Sequence, residues 1–147
     1  MSEQPRQLPP PSNPALPPLL AVITWFAAVV AVSGVLSLVL DRDVIDYPDA
    51  GPLLGVVMVA GAGAVTWLGC WRAVRASSPW VPAVLTAFGS FAAFVLIGAV
   101  GYAVIRGEGA WMLLASAHFA LSPFVAAAAS LSFLAVVGAW ALSRPRR

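Results

Sequence analysis

Residues 19–40 read LLAVITWFAAVVAVSGVLSLVL, 22 consecutive positions without a charged side chain. A helix rises 1.5 Å per residue, so about 20 residues cross a hydrocarbon core roughly 30 Å thick. Three more apolar stretches follow: residues 53–71 (19 positions), 81–105 (25) and 110–142 (33). Runs inside them, such as GVVMVAGAGAV at 55–65 and FVAAAASLSFLAVVG at 124–138, are apolar on every side. A barrel strand would alternate polar and apolar positions over about ten residues. A helix instead satisfies its own backbone N–H and C=O groups, as lipid requires. The stretches read as an all-α membrane protein, an up-down-up-down four-transmembrane-helix bundle.

Composition agrees. Of 147 residues, 61% are hydrophobic and 10% charged, and the mean hydropathy is +0.90. A soluble domain is about 45–50% apolar and about 25% charged, and a short chain buries the smallest fraction of its surface. All eight basic residues are Arg, which together with abundant Ala, Val, Gly and Pro points to a GC-rich bacterial genome. The single Cys70 excludes an intramolecular disulfide framework and a multi-Cys metal site.

The segments divide the chain into a Pro-rich tail (1–18), a membrane domain (19–142) and a basic tail (143–147). The first apolar run exceeds the usual 7–15 residues of a signal-peptide core, and no small-residue cleavage site precedes Asp41, so it is expected to remain as a span. Pro17-Pro18, Gly51-Pro52 and Ser77-Ser78-Pro79 mark helix starts, with Ser as a candidate N-cap. The 33 residues of the fourth stretch would make a helix of about 50 Å, longer than one plain crossing. A kink or break near Ser122-Pro123 resolves the excess. One continuous helix kinked at Pro123 is the expected form, with residues 110–121 interfacial or re-entrant as the alternative.

Charge distribution sets orientation. One side carries Arg6, Arg72, Arg75, Arg144, Arg146 and Arg147 against Glu3. The other carries Arg42 and Arg106 against Asp41, Asp43, Asp46, Asp49 and Glu108. By the positive-inside rule both termini are cytoplasmic, in a bacterial inner membrane. The basic pI, near 9.3, thus reflects topology and attraction to anionic lipid rather than nucleic-acid binding. Trp67, Trp71, Trp80 and Trp140 fall near the inner ends, Trp111 and Tyr102 near the outer ones, and Trp25 is placed near the inner interface.

Chemistry-bearing residues are few. No Asp, Glu, Lys or Arg lies within a span, although ion-coupled transporters and proton relays place such groups at membrane depth. Small multidrug-type transporters share the helix count but rely on a carboxylate in the first span, which this chain lacks. His118 is the only His, and a helix would put Ser122 one turn away, giving a polar node. Ser116 and Ser122 are the only nucleophile candidates beside that His, and Ser122 precedes a proline. Cys70 lacks a partner cysteine and reads as packing. The outer loop DRDVIDYPDAGP, with Asp41, Asp43, Asp46 and Asp49, misses the EF-hand spacing and reads as a solvated acidic loop. No cofactor and no metal site is implied.

Small-xxx-small pairs recur at Ala27/Ala31, Ala60/Ala64, Gly89/Ala93, Ala99/Ala103 and Ser122/Ala126/Ser130. Such faces let helices approach closely, within the chain, in a homo-oligomer or in a larger membrane complex. The layout (Pro-rich tail, first span, DRDVIDYPDAGP loop, CWRAVR turn and RPRR end) resembles that of small uncharacterised four-span membrane proteins of actinobacterial type. That resemblance covers the whole chain and carries no functional residue across. The expected role is a non-enzymatic accessory or interaction subunit. A small channel or transporter for a neutral or apolar solute, lined by Thr24, Ser33, Thr66, Thr86 and Ser90, is the alternative. A membrane enzyme using His118 is the third reading.

Overall fold

A computed structural model of the chain describes residues 15–41 and 51–144, with the side chains of residues 51 and 52 outside that description. The described secondary structure is entirely helical: α1 Leu16–Leu40, α2 Gly51–Arg75, α3 Trp80–Arg106, α4 Ala110–Ala120 and α5 Pro123–Leu142. Four stretches, Leu16–Leu40, Leu53–Arg75, Trp80–Arg106 and Pro123–Leu142, are long and apolar enough to cross a membrane. The Pro-rich tail (residues 1–14), the acidic loop (residues 42–50) and the last three residues lie outside the described residues.

The helix count is five, not four, because the fourth apolar stretch divides. Ser122 is extended, with φ −71° and ψ 127°, and caps α5, in which Pro123 is the first residue. Proline disfavours the α conformation at the residue before it and cannot donate to a preceding turn. The expected single kinked helix over 110–142 is therefore replaced by an 11-residue α4 and a 20-residue α5. The N-terminal signals also differ in detail. α3 is capped by Pro79 without a side-chain hydrogen bond, so neither Ser77 nor Ser78 acts as the expected cap.

Among the described residues, no Cα atom of α1 lies within 8 Å of one of α3. Both pack against α2 and α5, which also contact one another, and α4 lies against α3. The chain ends of these helices meet in two groups. Trp140 Nε1 donates to the Ala76 carbonyl (3.2 Å), tying the end of α5 to the α2–α3 turn. At the other end, Trp111 of α4 meets Tyr102 of α3 edge to face, with ring centroids 5.9 Å apart.

Two apolar clusters fill the interior. Toward the Tyr102 end the core is large and aromatic, with Trp25, Leu54, Met58, Phe94, Tyr102 and Phe119. Toward the Ala76 end it is small, with Ala21, Cys70, Ala73, Ala83, Val136 and Ala139. Small side chains there bring backbones together: a Cβ added at Gly69 would run into the Thr86 side chain. Trp25 is 1% exposed and belongs to the aromatic core. It is not the interfacial ring that its sequence position suggests, because its indole reaches across to α5.

The outer faces reverse the soluble pattern. Leu38 is 85% exposed and Leu113 79%, whereas Thr66, Ser90 and Ser132 are 0% exposed. Water would penalise this arrangement, and hydrocarbon favours it. The chain is a membrane-embedded protein.

Candidate functional site

The polar side chains buried at the centre are hydroxyls on three helices. On α2, Thr66 lies between the aromatic core residue Ala62 and the small-core residue Cys70; on α3, Ser90 lies between Phe94 and Ala83; on α5, Ser132 lies between Ala128 and Val136. The cluster therefore sits at the seam between the two apolar cores. Ser132 is its hub. Its Oγ lies 2.9 Å from Thr66 Oγ1 and donates to Ser90 Oγ at 2.9 Å.

Two of the hydroxyls also have a local alternative. Thr66 Oγ1 donates to the Ala62 carbonyl one turn back (2.9 Å), and Ser132 Oγ reaches the Ala128 carbonyl (3.0 Å). A hydroxyl carries one proton and two acceptor lone pairs. Three hydroxyls thus bring three protons to four close contacts, and the cluster can exchange proton positions without moving a heavy atom. The Ala128 carbonyl also accepts from Trp25 Nε1 at 3.3 Å, which connects α1 to the same network. Through Trp25, Thr66, Ser90 and Ser132, all four long helices join one set of hydrogen bonds. Every buried side-chain N and O atom among the described residues has a partner.

The chemistry of this arrangement is narrow. Hydroxyls, carbonyls and an indole N–H neither take up nor release a proton near neutral pH. The adjoining cavity, about 40 Å³, is lined mainly by apolar groups such as Val29, Met58, Phe94, Phe119 and Val125. The arrangement suits helix registration, since each bond satisfies a group that hydrocarbon would leave unpaired.

Thr66 and Ser90, expected from sequence as lining of a solute path, are engaged here with other side chains. Thr86 Oγ1 donates to the Pro82 carbonyl at 2.7 Å, and Thr24 is exposed on the outer face of α1. Ser33 borders the small cavity. Sequence reading missed Ser132 because it favoured the neighbouring stripe Ser122/Ala126/Ser130. Of that stripe Ala126 and Ser130 are exposed, while the buried face of α5 runs Val125, Ala128, Ser132, Val136, Ala139. The 3–4 spacing of that set was the available signal, but a helix apolar all round does not say which spacing faces inward.

His118 is exposed on α4, edge to face with Phe119 (5.9 Å, 79°). The helix that would bring Ser122 into register with it ends at Ala120, and Ser122 is extended. Ser116 Oγ donates to the Leu113 carbonyl at 2.8 Å. Cys70 is buried in the small-residue core. Asp41 closes α1 in the left-handed region (φ 49°), its N–H donating to the Ser37 carbonyl. Asp43, Asp46 and Asp49 lie outside the described residues. Among the described residues no group of three His, Cys, Asp or Glu side chains is placed to hold a metal ion.

The two ends carry arginines stacked on aromatic rings. Arg75 lies 5.1 Å from the Trp71 ring centroid and Arg144 4.7 Å from that of Trp140. Arg106 lies 5.1 Å from the Trp111 centroid, and its Nε donates to the Tyr102 hydroxyl at 3.0 Å. Such pairs suit an interfacial belt, where a ring is half in hydrocarbon and a cation faces headgroups.

Residues 15–147 match the model of a family of unknown function, DUF6121. No curated protein and no solved structure matches the chain.

Proposed function

The chain belongs to the DUF6121 family, and from that premise we propose that it is a non-enzymatic accessory or interaction subunit of a bacterial inner membrane. In this reading it is a four-span, up-down-up-down bundle with both termini cytoplasmic, and α4 is an outer appendage on α3.

The observation that carries the reading is the use of the interior polar groups. Thr66, Ser90, Ser132 and Trp25 bond to one another or to backbone, which favours a closed scaffold over a solute path. The outward small faces supply the complement. Ala27 and Ala31 on α1, and Ala60 and Ala64 on α2, are exposed, so another helix could approach closely there. Orientation rests on the arginine count: three arginines among the described residues at the Ala76 end, namely Arg72, Arg75 and Arg144, against Arg106 at the other.

Native mass spectrometry after gentle detergent extraction tests the role. The expected species is a homo-oligomer or a defined complex of fixed stoichiometry, and a strictly monomeric chain with no co-purifying protein would overturn it. Solute flux in proteoliposomes tests the channel reading, and activity-dependent loss in His118→Ala the enzyme reading. A cysteine introduced at Ala50, in a Cys70→Ala background, is expected to label only from outside the cell. Labelling restricted to the cytoplasmic side would reverse the topology.

A further inference from the structure

We infer that one anionic phospholipid seats on the α3–α5 face, its phosphate at Arg144 and the end of one acyl chain in the groove beneath. This goes beyond the accessory role and rests only on the chain lying in a membrane. The groove is open, about 460 Å³, and lined mainly by Phe88, Phe91, Ala129, Phe133 and Leu134, with Ser130, whose hydroxyl donates to the Ala126 carbonyl, as its polar member. Its volume lies within the roughly 300–1,000 Å³ range of small-molecule sites.

Charge selects the occupant. Arg72, Arg75 and Arg144 stand exposed at this end, and the described acids, Asp41 and Glu108, belong to the opposite ends of α1 and α3. Arg144 is already held in place. Its guanidinium stacks on Trp140, and Nη2 donates to the carbonyls of Ala76 (3.0 Å) and Ser77 (3.1 Å). A guanidinium has five N–H donors, so others remain for phosphate.

Length selects it too. Phe133 lies nine residues before the end of α5, about 14 Å along the helix, and Arg144 two residues beyond that end, which together match the roughly 15 Å of one leaflet's hydrocarbon. A chain descending from a phosphate at Arg144 therefore reaches the groove at its far end. Trp80, 61% exposed and with its ring centroid 6.2 Å from that of Phe133, flanks the path between them. Zwitterionic lipids fill the groove equally well but bring no net charge to the arginines.

The test is native mass spectrometry of the full-length chain from micelles holding equal phosphatidylglycerol and phosphatidylcholine of the same acyl length. One phosphatidylglycerol adduct is expected, favoured about five-fold or more. Arg144→Gln keeps an amide donor toward the Ala76 carbonyl and should reduce that preference about five-fold. Ala129→Phe fills the groove and should lower retention of both lipids, while size-exclusion profiles of both variants match the parent. Equal retention of the two lipids, or adducts indifferent to both substitutions, would overturn the assignment. Displacement of the adduct by inorganic phosphate would reduce the site to a simple anion site and also overturn it. A dimer lost on Ala129→Phe would give the groove to a second copy instead.

Discussion

The hydroxyl cluster at the centre and the α4–α5 junction contain the same kinds of residue and use them in opposite ways. At the centre, Thr66, Ser90 and Ser132 are 0% exposed and lock α2, α3 and α5 together. At the junction, Ser122 and exposed His118 flank a break imposed by Pro123. A serine deep among apolar helices must find a partner on another helix or on its own backbone, so it fixes register. A serine before a proline at a helix end has backbone geometry as its task. The conspicuous residue, the lone His, sits on the surface, and the inconspicuous ones hold the bundle.

That contrast is open to breaking by substitution, read as unfolding free energy in mixed micelles. The largest effect is expected for Trp25→Ala. It empties a fully buried site and removes the indole bond to Ala128, for a loss of about 3–5 kcal/mol. Gly69→Val should follow at about 1–3 kcal/mol, since its side chain would overlap Thr86 and push α2 from α3. Ser132→Ala removes the hub and should cost about 0.6–1.7 kcal/mol, the range of interhelical hydrogen bonds in membranes. Thr66→Ala on top of Ser132→Ala should then cost less than it does alone, because the bond between them is already gone. His118→Ala should change stability by less than about 0.5 kcal/mol, as expected for an exposed position. A His118→Ala loss larger than that of Ser132→Ala would invert the comparison.

Much of the fold was legible because it depends on length and charge. Residues 19–40, 53–71 and 81–105 fall within α1, α2 and α3, since uncharged runs of that length have one stable solution in lipid. The site was not legible for the same reason. Where every face is apolar, the inward face is chosen by shape, such as the gap at Gly69 that admits Thr86, and a hydropathy pattern does not encode shape. Trp25 illustrates this, because near a helix end an aromatic reads as an anchor until its partner on a distant helix is known. The division at Ser122 was half legible. Pro123 announced a disturbance, but a kink and a break share that signal, and α4 packing on α3 accompanies the break.

The central claim is that the buried hydroxyls form a closed clasp rather than part of a water-filled path. Cysteine accessibility at the hub tests it most directly. In a Cys70→Ala background, Ser132→Cys should resist a water-soluble methanethiosulfonate reagent in the native state and react only after denaturation, while Glu108→Cys, exposed in the turn between α3 and α4, provides the reference. Labelling of Cys at position 132 at a rate comparable with that reference would show water at the centre of the bundle and contradict the account.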